Sequence, residues 1–230
     1  EILSAMGMAG VYAPVPAVRK FIGKNIKPMR EVKQAWAWMG MTGVFVSVSA
    51  QRGLKMLQKD HILEGSTGFW VMQGADKFRE EQLTNGLGKN FTMLNSATKN
   101  HPSVFFAHAP IDVVNNIVEE NKIDLKNISK IEVKMGSNLS LVTNDYSPEG
   151  EVDAQFSVPY QVAVSLLQPE EGPKWYSDEA LSNPEILKLA RLVTSVFDRE
   201  ADNLFITTGE SMVKGEIITK DKKVYRKNLP

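Results

Sequence analysis

Between Lys33 and Arg52 the chain carries no formal charge, and the 18 residues concerned, Gln34 to Gln51, read as the body of a helix running from Glu31 to Leu57. A helix that is apolar on every side has to be surrounded, by lipid or by other protein. A membrane span is disfavoured, because Gln34, Thr42, Ser47, Ser49 and Gln51 are polar, two glycines interrupt the run, and its length only just reaches the roughly 18 apolar residues a span needs. Gly40 and Gly43 with Ala35, Ala37, Ser47 and Ala50 instead suit the centre of a helical bundle, where small residues let neighbouring backbones approach. The opening segment ILSAMGMAGVYA also reads as a helix interior, begun mid-pattern with neither Met nor a basic leader, so a fragment or one subunit of a split protein is expected.

Partners are narrowed by charge. Twenty-seven basic and 27 acidic side chains cancel, and the only like-charged cluster is KDKK at Lys220 to Lys223, so nucleic acid is not an expected partner. The absence of cysteine excludes disulfides, thiolate nucleophiles, iron–sulfur clusters and Cys-ligated zinc. It permits a reducing compartment, and a cytoplasmic or mitochondrial-matrix location is expected. Three scattered histidines leave little to hold a metal. His61, in the loop DHILEGSTG, has no second ligand three or four residues away and reads as a surface or capping residue.

Gly86 to Lys89, GLGK, marks a change of character, from a helical part (1–88) to a mixed part (89–230). In the second part Phe91 to Leu94 reads as a short strand, and Phe106, Ala109, Val113, Val114, Ile117 and Val118 recur at helical spacing. Ile131, Val133 and Met135 alternate with charged residues as a one-sided strand. Phe156 and Val158 to Leu167 form a helix entered at Ser157 and Pro159, and Ile186 to Phe197 form another, entered at Ser182, Asn183 and Pro184. Ile206 to Thr208, Val213 to Thr219 and Val224 to Arg226 close the chain as strands. The expected class is α+β, part of an all-helical domain followed by a smaller α+β domain.

Chemistry concentrates in KNHPSVFFAHAPID, Lys99 to Asp112, where a lysine and two of the three histidines precede a helix. Fixed positive charge, a titratable base and loop amides together suit a small carboxylate. Polar residues ahead of a helix are more commonly a solvated loop or a cap.

Four segments resemble the MmgE/PrpD family, which includes 2-methylcitrate dehydratase, cis-aconitate decarboxylase and iminodisuccinate epimerase. They are the small-residue helix ending SVSAQRGL; ILEGSTGFW, similar to a "LEG..GF" loop; KNHPSVFFAH, similar to "K.YPSC…H" with Lys99, Pro102, Ser103 and His108 in register; and DAQFSVPYQVAVSLL, similar to "A.FS.PY.vA.aL" after the strand SKIEVKM. The resemblance implies a helical domain with an α+β lid and an active site between them. It also implies that this chain covers the middle and later part of a family member, with helices bearing further histidines lying outside it. Two positions depart from the pattern: Val104 stands where relatives have Cys or His, and His101 where they have Tyr.

Such enzymes act without metal or other cofactor on small di- or tricarboxylic acids, by dehydration, decarboxylation or proton relocation. On that comparison Lys99 and Lys33, with Lys27 as the poorer match, anchor carboxylates and stabilise an enolate-like charge, while His108 exchanges the proton. Ser103 is a candidate carboxylate ligand, and Ser157, Tyr160 and His101 are weaker ones, since capping and core packing explain Ser157 and Tyr160 better than ligand binding does. Lys33 and His108 also have plain readings, as a lysine reaching to water and a partly buried helical histidine. The expected partners are a small polycarboxylate substrate and either further copies of the chain or a second polypeptide supplying the missing helices. The alternative function is accordingly a non-catalytic or half-site subunit.

Overall fold

A computed structural model describes residues 1–12, 36–55, 68, 71, 77, 79, 81–137, 139, 142–168 and 170–229. They fall into two compact units, one formed by those up to 97 and the other by those from 98 onward.

In the first unit α1 (Ile2–Tyr12) packs on α2 (Trp36–Gln51) through Met8, Val46 and Ala50, all buried, with Tyr12 set edge-on to Phe45. The charge-free helix ends earlier than its composition implies. Gly53, at φ +91°, turns the chain so that the amides of Gly53 and Leu54 bond back to Ala50 and Ser49, the usual way a glycine closes a helix. Of the small residues expected to admit a neighbouring helix, Ala50 is buried in the cluster with Met8, while no described atom outside the local helix backbone lies within 4 Å of a Cβ placed at Gly40 or Gly43. Among the described residues no helix is long and apolar enough to cross a membrane. A short α3 (Glu81–Thr84) follows. Phe91 to Leu94, expected as strand, instead leads into a 3-10 turn (Thr92–Asn95), with the Leu94 amide donating to the Phe91 carbonyl. A local bond satisfies there what a strand would need a neighbour for.

The second unit is a four-stranded sheet backed by helices. Its order is β2 (Val193–Phe197), β1 (Ile128–Met135), β3 (Val213–Thr219), β4 (Val224–Leu229), with β1 parallel to β2 and antiparallel to β3. The parallel pair needs a crossover. It is made by α5 (Glu151–Phe156), α6 (Val158–Leu167), α7 (Asp178–Leu181) and α8 (Pro184–Ala190). On one sheet face Ile131 and Val133 of β1 and Ile217 of β3 meet Val113, Val114 and Ile117 of α4 (His108–Asn121) and Val158 and Val162 of α6. The other face is polar, with Lys130, Glu132 and Lys134 paired among themselves. A second core, around Ile111, Tyr160, Ala163, Trp175 and Ile186, joins the two helices to α7 and α8.

Two further expectations fail, each for its own reason. The helix expected over Ile186–Phe197 stops at Ala190, because Val193-Thr-Ser-Val-Phe is β-branched and alternating and β1 offers it an edge, Ile131 to Met135. Ile206–Thr208, expected as strand, is the last turn of α9 (Arg199–Thr208). Asp198 caps that helix through the Ala201 amide, acidic residues fill its first turn and Gly209 at φ +76° ends it, and these local signals outweigh the β-branched run.

Candidate functional site

Residues 99–112 form a loop, a 3-10 turn (Phe105–Ala107) and the start of α4. The first link is made by Lys99, whose ammonium donates to the Ser103 carbonyl at 2.9 Å. Being exposed, that ammonium keeps further donors for a ligand. Ser103 is buried; its hydroxyl makes a long 3.3 Å bond to the Val104 carbonyl.

His101 and His108 come together here. Their rings meet edge to face at 5.1 Å, with Phe105 tilted against His108 at 5.6 Å and Trp175 stacked on His101 at 6.4 Å. His101 Nε2 lies 2.8 Å from an Asp112 oxygen and Nδ1 2.8 Å from a Glu171 oxygen. Ionised carboxylates only accept, so both contacts are hydrogen bonds at once only when both ring nitrogens carry protons. The two carboxylates lie on opposite edges of the ring, which they brace between them.

His108 is the opposite case. It is 8% exposed, and its Nε2 is buried with no hydrogen-bond partner among the described residues. Its pKa lies below the ordinary imidazole value of 6.5: burial disfavours the charged ring first, then the charges of His101 and Lys99, against weaker opposition from the Ser103 backbone and Asp112. A neutral His108 with an unused ring nitrogen can take a proton or hold one out to a ligand.

Ser157 and Tyr160 lie elsewhere in the unit's interior. Ser157 caps α6 by accepting from the Tyr160 amide and donates to the Asp145 carbonyl, and it is fully buried. The Tyr160 hydroxyl donates to the Trp175 carbonyl at 2.6 Å, and burial pushes its pKa up, so it stays an O–H donor. Both hydroxyls are engaged within the fold. Lys33, Lys27 and His61 lie outside the described residues.

Sequence reasoning singled out neither Asp112 nor Glu171 as a site residue. Asp112 had a signal, four residues after His108 on the same helix face. Glu171 had none, being 70 residues from its partner. Its connection is tied down by Trp175, whose indole N–H donates to the Gln168 carbonyl, and by Tyr176, whose hydroxyl donates to the Pro102 carbonyl.

Residues 101–229, more than half of the chain, match the MmgE/PrpD C-terminal domain. No curated protein matches the sequence.

Proposed function

This chain belongs to the MmgE/PrpD family, which includes dehydratases and related enzymes, and on that premise we propose that it is a lyase or isomerase of small di- or tricarboxylic acids, working without a metal. The observation that carries this reading is a neutral His108 at the start of α4, its Nε2 unpartnered among the described residues, with Lys99 in the loop nine residues earlier. An anion binder without chemistry needs the lysine but not a buried base kept neutral.

In this reading Lys99 holds a substrate carboxylate, with Lys33 or Lys27 as a second anchor. For dehydration or epimerisation His108 Nε2 accepts the proton from the carbon beside that carboxylate. The C–H electron pair then spreads into an enolate, which the lysine charge stabilises. The enolate expels a β-hydroxyl as water, once a general acid has protonated it, or regains a proton on its other face. For decarboxylation the carboxylate leaves as carbon dioxide, its bonding electron pair forms the same kind of enolate, and His108, having taken a proton from water, gives it to that carbon. Val104, where relatives carry Cys or His, offers no such group, so the proton work falls to His108.

The test is solvent exchange. Incubated in deuterium oxide with a panel of citrate-like acids, the full chain introduces deuterium beside a carboxylate, followed by proton NMR, and His108→Gln slows this by about a hundredfold or more. If the wild-type chain turns a substrate over and His108→Gln and Lys99→Ala both keep that rate, the assignment fails.

A second reading draws support from α1 and α2, on which Ile2, Val11, Trp38, Met41, Val44, Phe45 and Val48 are exposed. So large an apolar surface suits docking. The chain is then a half-site subunit, silent until a partner supplying helices and histidines is added. Turnover by the purified chain alone rules that out.

A further inference from the structure

The mechanism above uses His108 and Lys99 and leaves the most constrained polar group in the unit unused. His101 is 7% exposed, has a carboxylate oxygen 2.8 Å from each ring nitrogen, and stacks on a fully buried Trp175. The bonds join three separate pieces of chain: the loop itself, Asp112 one turn into α4, and Glu171 in the connection after α6. An uncharged residue of similar size packs a loop equally well, so two carboxylates spent on one ring call for a reason. The reason lies in what the ring faces, the edge contact with His108 at 5.1 Å.

We propose that His101 is a positioning residue for the proton-transfer site: an imidazolium clamped between Asp112 and Glu171, whose charge keeps the neighbouring His108 neutral and whose ring fixes the loop that carries Lys99. The inference rests on the assignment of His108 as the proton-exchanging group. Its electrostatic half follows from sign alone. Positive charge within about 5 Å in a partly dry site opposes a second proton, and screening by water is weak there. The charged groups facing His108 are His101 and Lys99, which both act against its proton, and Asp112, which acts for it. Asp112 and Glu171, both bonded to His101, bring the formal charge of the cluster to zero, but His101 and Lys99 each act on the His108 proton more strongly than Asp112 does. A neutral base with Lys99 beside it favours a substrate that arrives as an anion and leaves its proton behind.

The chain has only three histidines, so ring resonances of the labelled protein can be assigned with single-residue variants, and His108 can be titrated by NMR with no substrate present. Two replacements separate charge from shape. His101→Gln keeps a polar side chain but removes the charge, and the His108 midpoint moves to higher pH. His101→Lys restores a cation within reach of Asp112 and Glu171, and the midpoint returns to the wild-type position. A merely structural role predicts that both replacements move His108 alike, or that neither does, and either result overturns the proposal. Should the glutamine variant fail to fold, the lysine variant decides alone: a wild-type midpoint supports the charge role and a raised one refutes it. Failure of the functional reading would look different. A protein without turnover would still show the two-variant pattern, whereas an active enzyme whose His108 ignores the charge at 101 refutes this inference and leaves the other standing.

Discussion

Gly215 sits in the middle of β3, opposite Val133 of β1 and Lys227 of β4, beneath the helix that begins with His108. Ordinarily Gly→Ala inside a strand gains roughly 0.5–1 kcal/mol, because glycine loses the most backbone freedom on folding. Here the new methyl would lie 2.9 and 3.0 Å from the two γ-carbons of Val113 and 3.0 Å from Ile117 Cδ1. Relaxed carbon contacts lie at about 3.5–4.0 Å. Ile117 can move its terminal carbon, but Val113 is β-branched and holds one rotamer in a helix, so relief has to come from shifting α4 itself. Overpacking of this kind costs about 1–3 kcal/mol, which against the backbone gain leaves Gly215→Ala destabilised by about 1–2 kcal/mol. Urea unfolding followed by circular dichroism reads that as a lower midpoint at an unchanged slope. Val113→Ala opens the space, so the double variant is expected to lose less than the sum of the singles, by about 0.5 kcal/mol or more for residues in contact. A raised midpoint in Gly215→Ala, or strict additivity with Val113→Ala, would refute the claim that this glycine sets the distance between α4 and the sheet.

Ser157→Ala removes a cap, deletes the bond to the Asp145 carbonyl and takes the buried acceptor from the Tyr160 amide, so a loss of about 2 kcal/mol is expected; Tyr160→Phe, which removes the hydroxyl donor to the Trp175 carbonyl, costs about 1–2 kcal/mol. Thermal and urea melts measure both, and substrate KM should hold in the folded fraction; a KM rise without loss of stability would return either hydroxyl to the binding site. The pH dependence follows from His108. Its folded pKa lies below the ordinary 6.5, so between those two values the unfolded chain holds a proton that the folded chain does not. Stability therefore falls as pH drops through that window, and His108→Gln should flatten this part of the pH–stability curve; an unchanged slope would mean that His108 charges freely in the fold.

The elements most legible in the sequence were those whose causes are local. The apolar spacing of α4 needs only its own residues, and so do Ser157 as the cap of α6, Asn183 with Pro184 at the start of α8, and the alternation of β1. What misled was a choice between neighbours. Val193 to Phe197 continues a helical pattern on paper and becomes strand because β1 has a free edge, while Ile206 to Thr208 has strand composition and becomes helix because Asp198 begins one.

The candidate site divides along the same line. Lys99, Ser103 and His108 share one short segment, and their types and order sufficed to mark it as a candidate for binding anions and moving protons. Nothing in that segment announces that His101 is bonded through both ring nitrogens, because one of its two carboxylates comes from a connection 70 residues away, brought in by the packing of Trp175 and Tyr176. Nor could composition tell that His108 keeps one nitrogen unpaired among the described residues while Tyr160 and Ser157 use their hydroxyls inside the fold. Residue chemistry is written in the chain. Which groups are left unpartnered, and beside which charges, is a matter of burial and distance, and only the tertiary structure decides it.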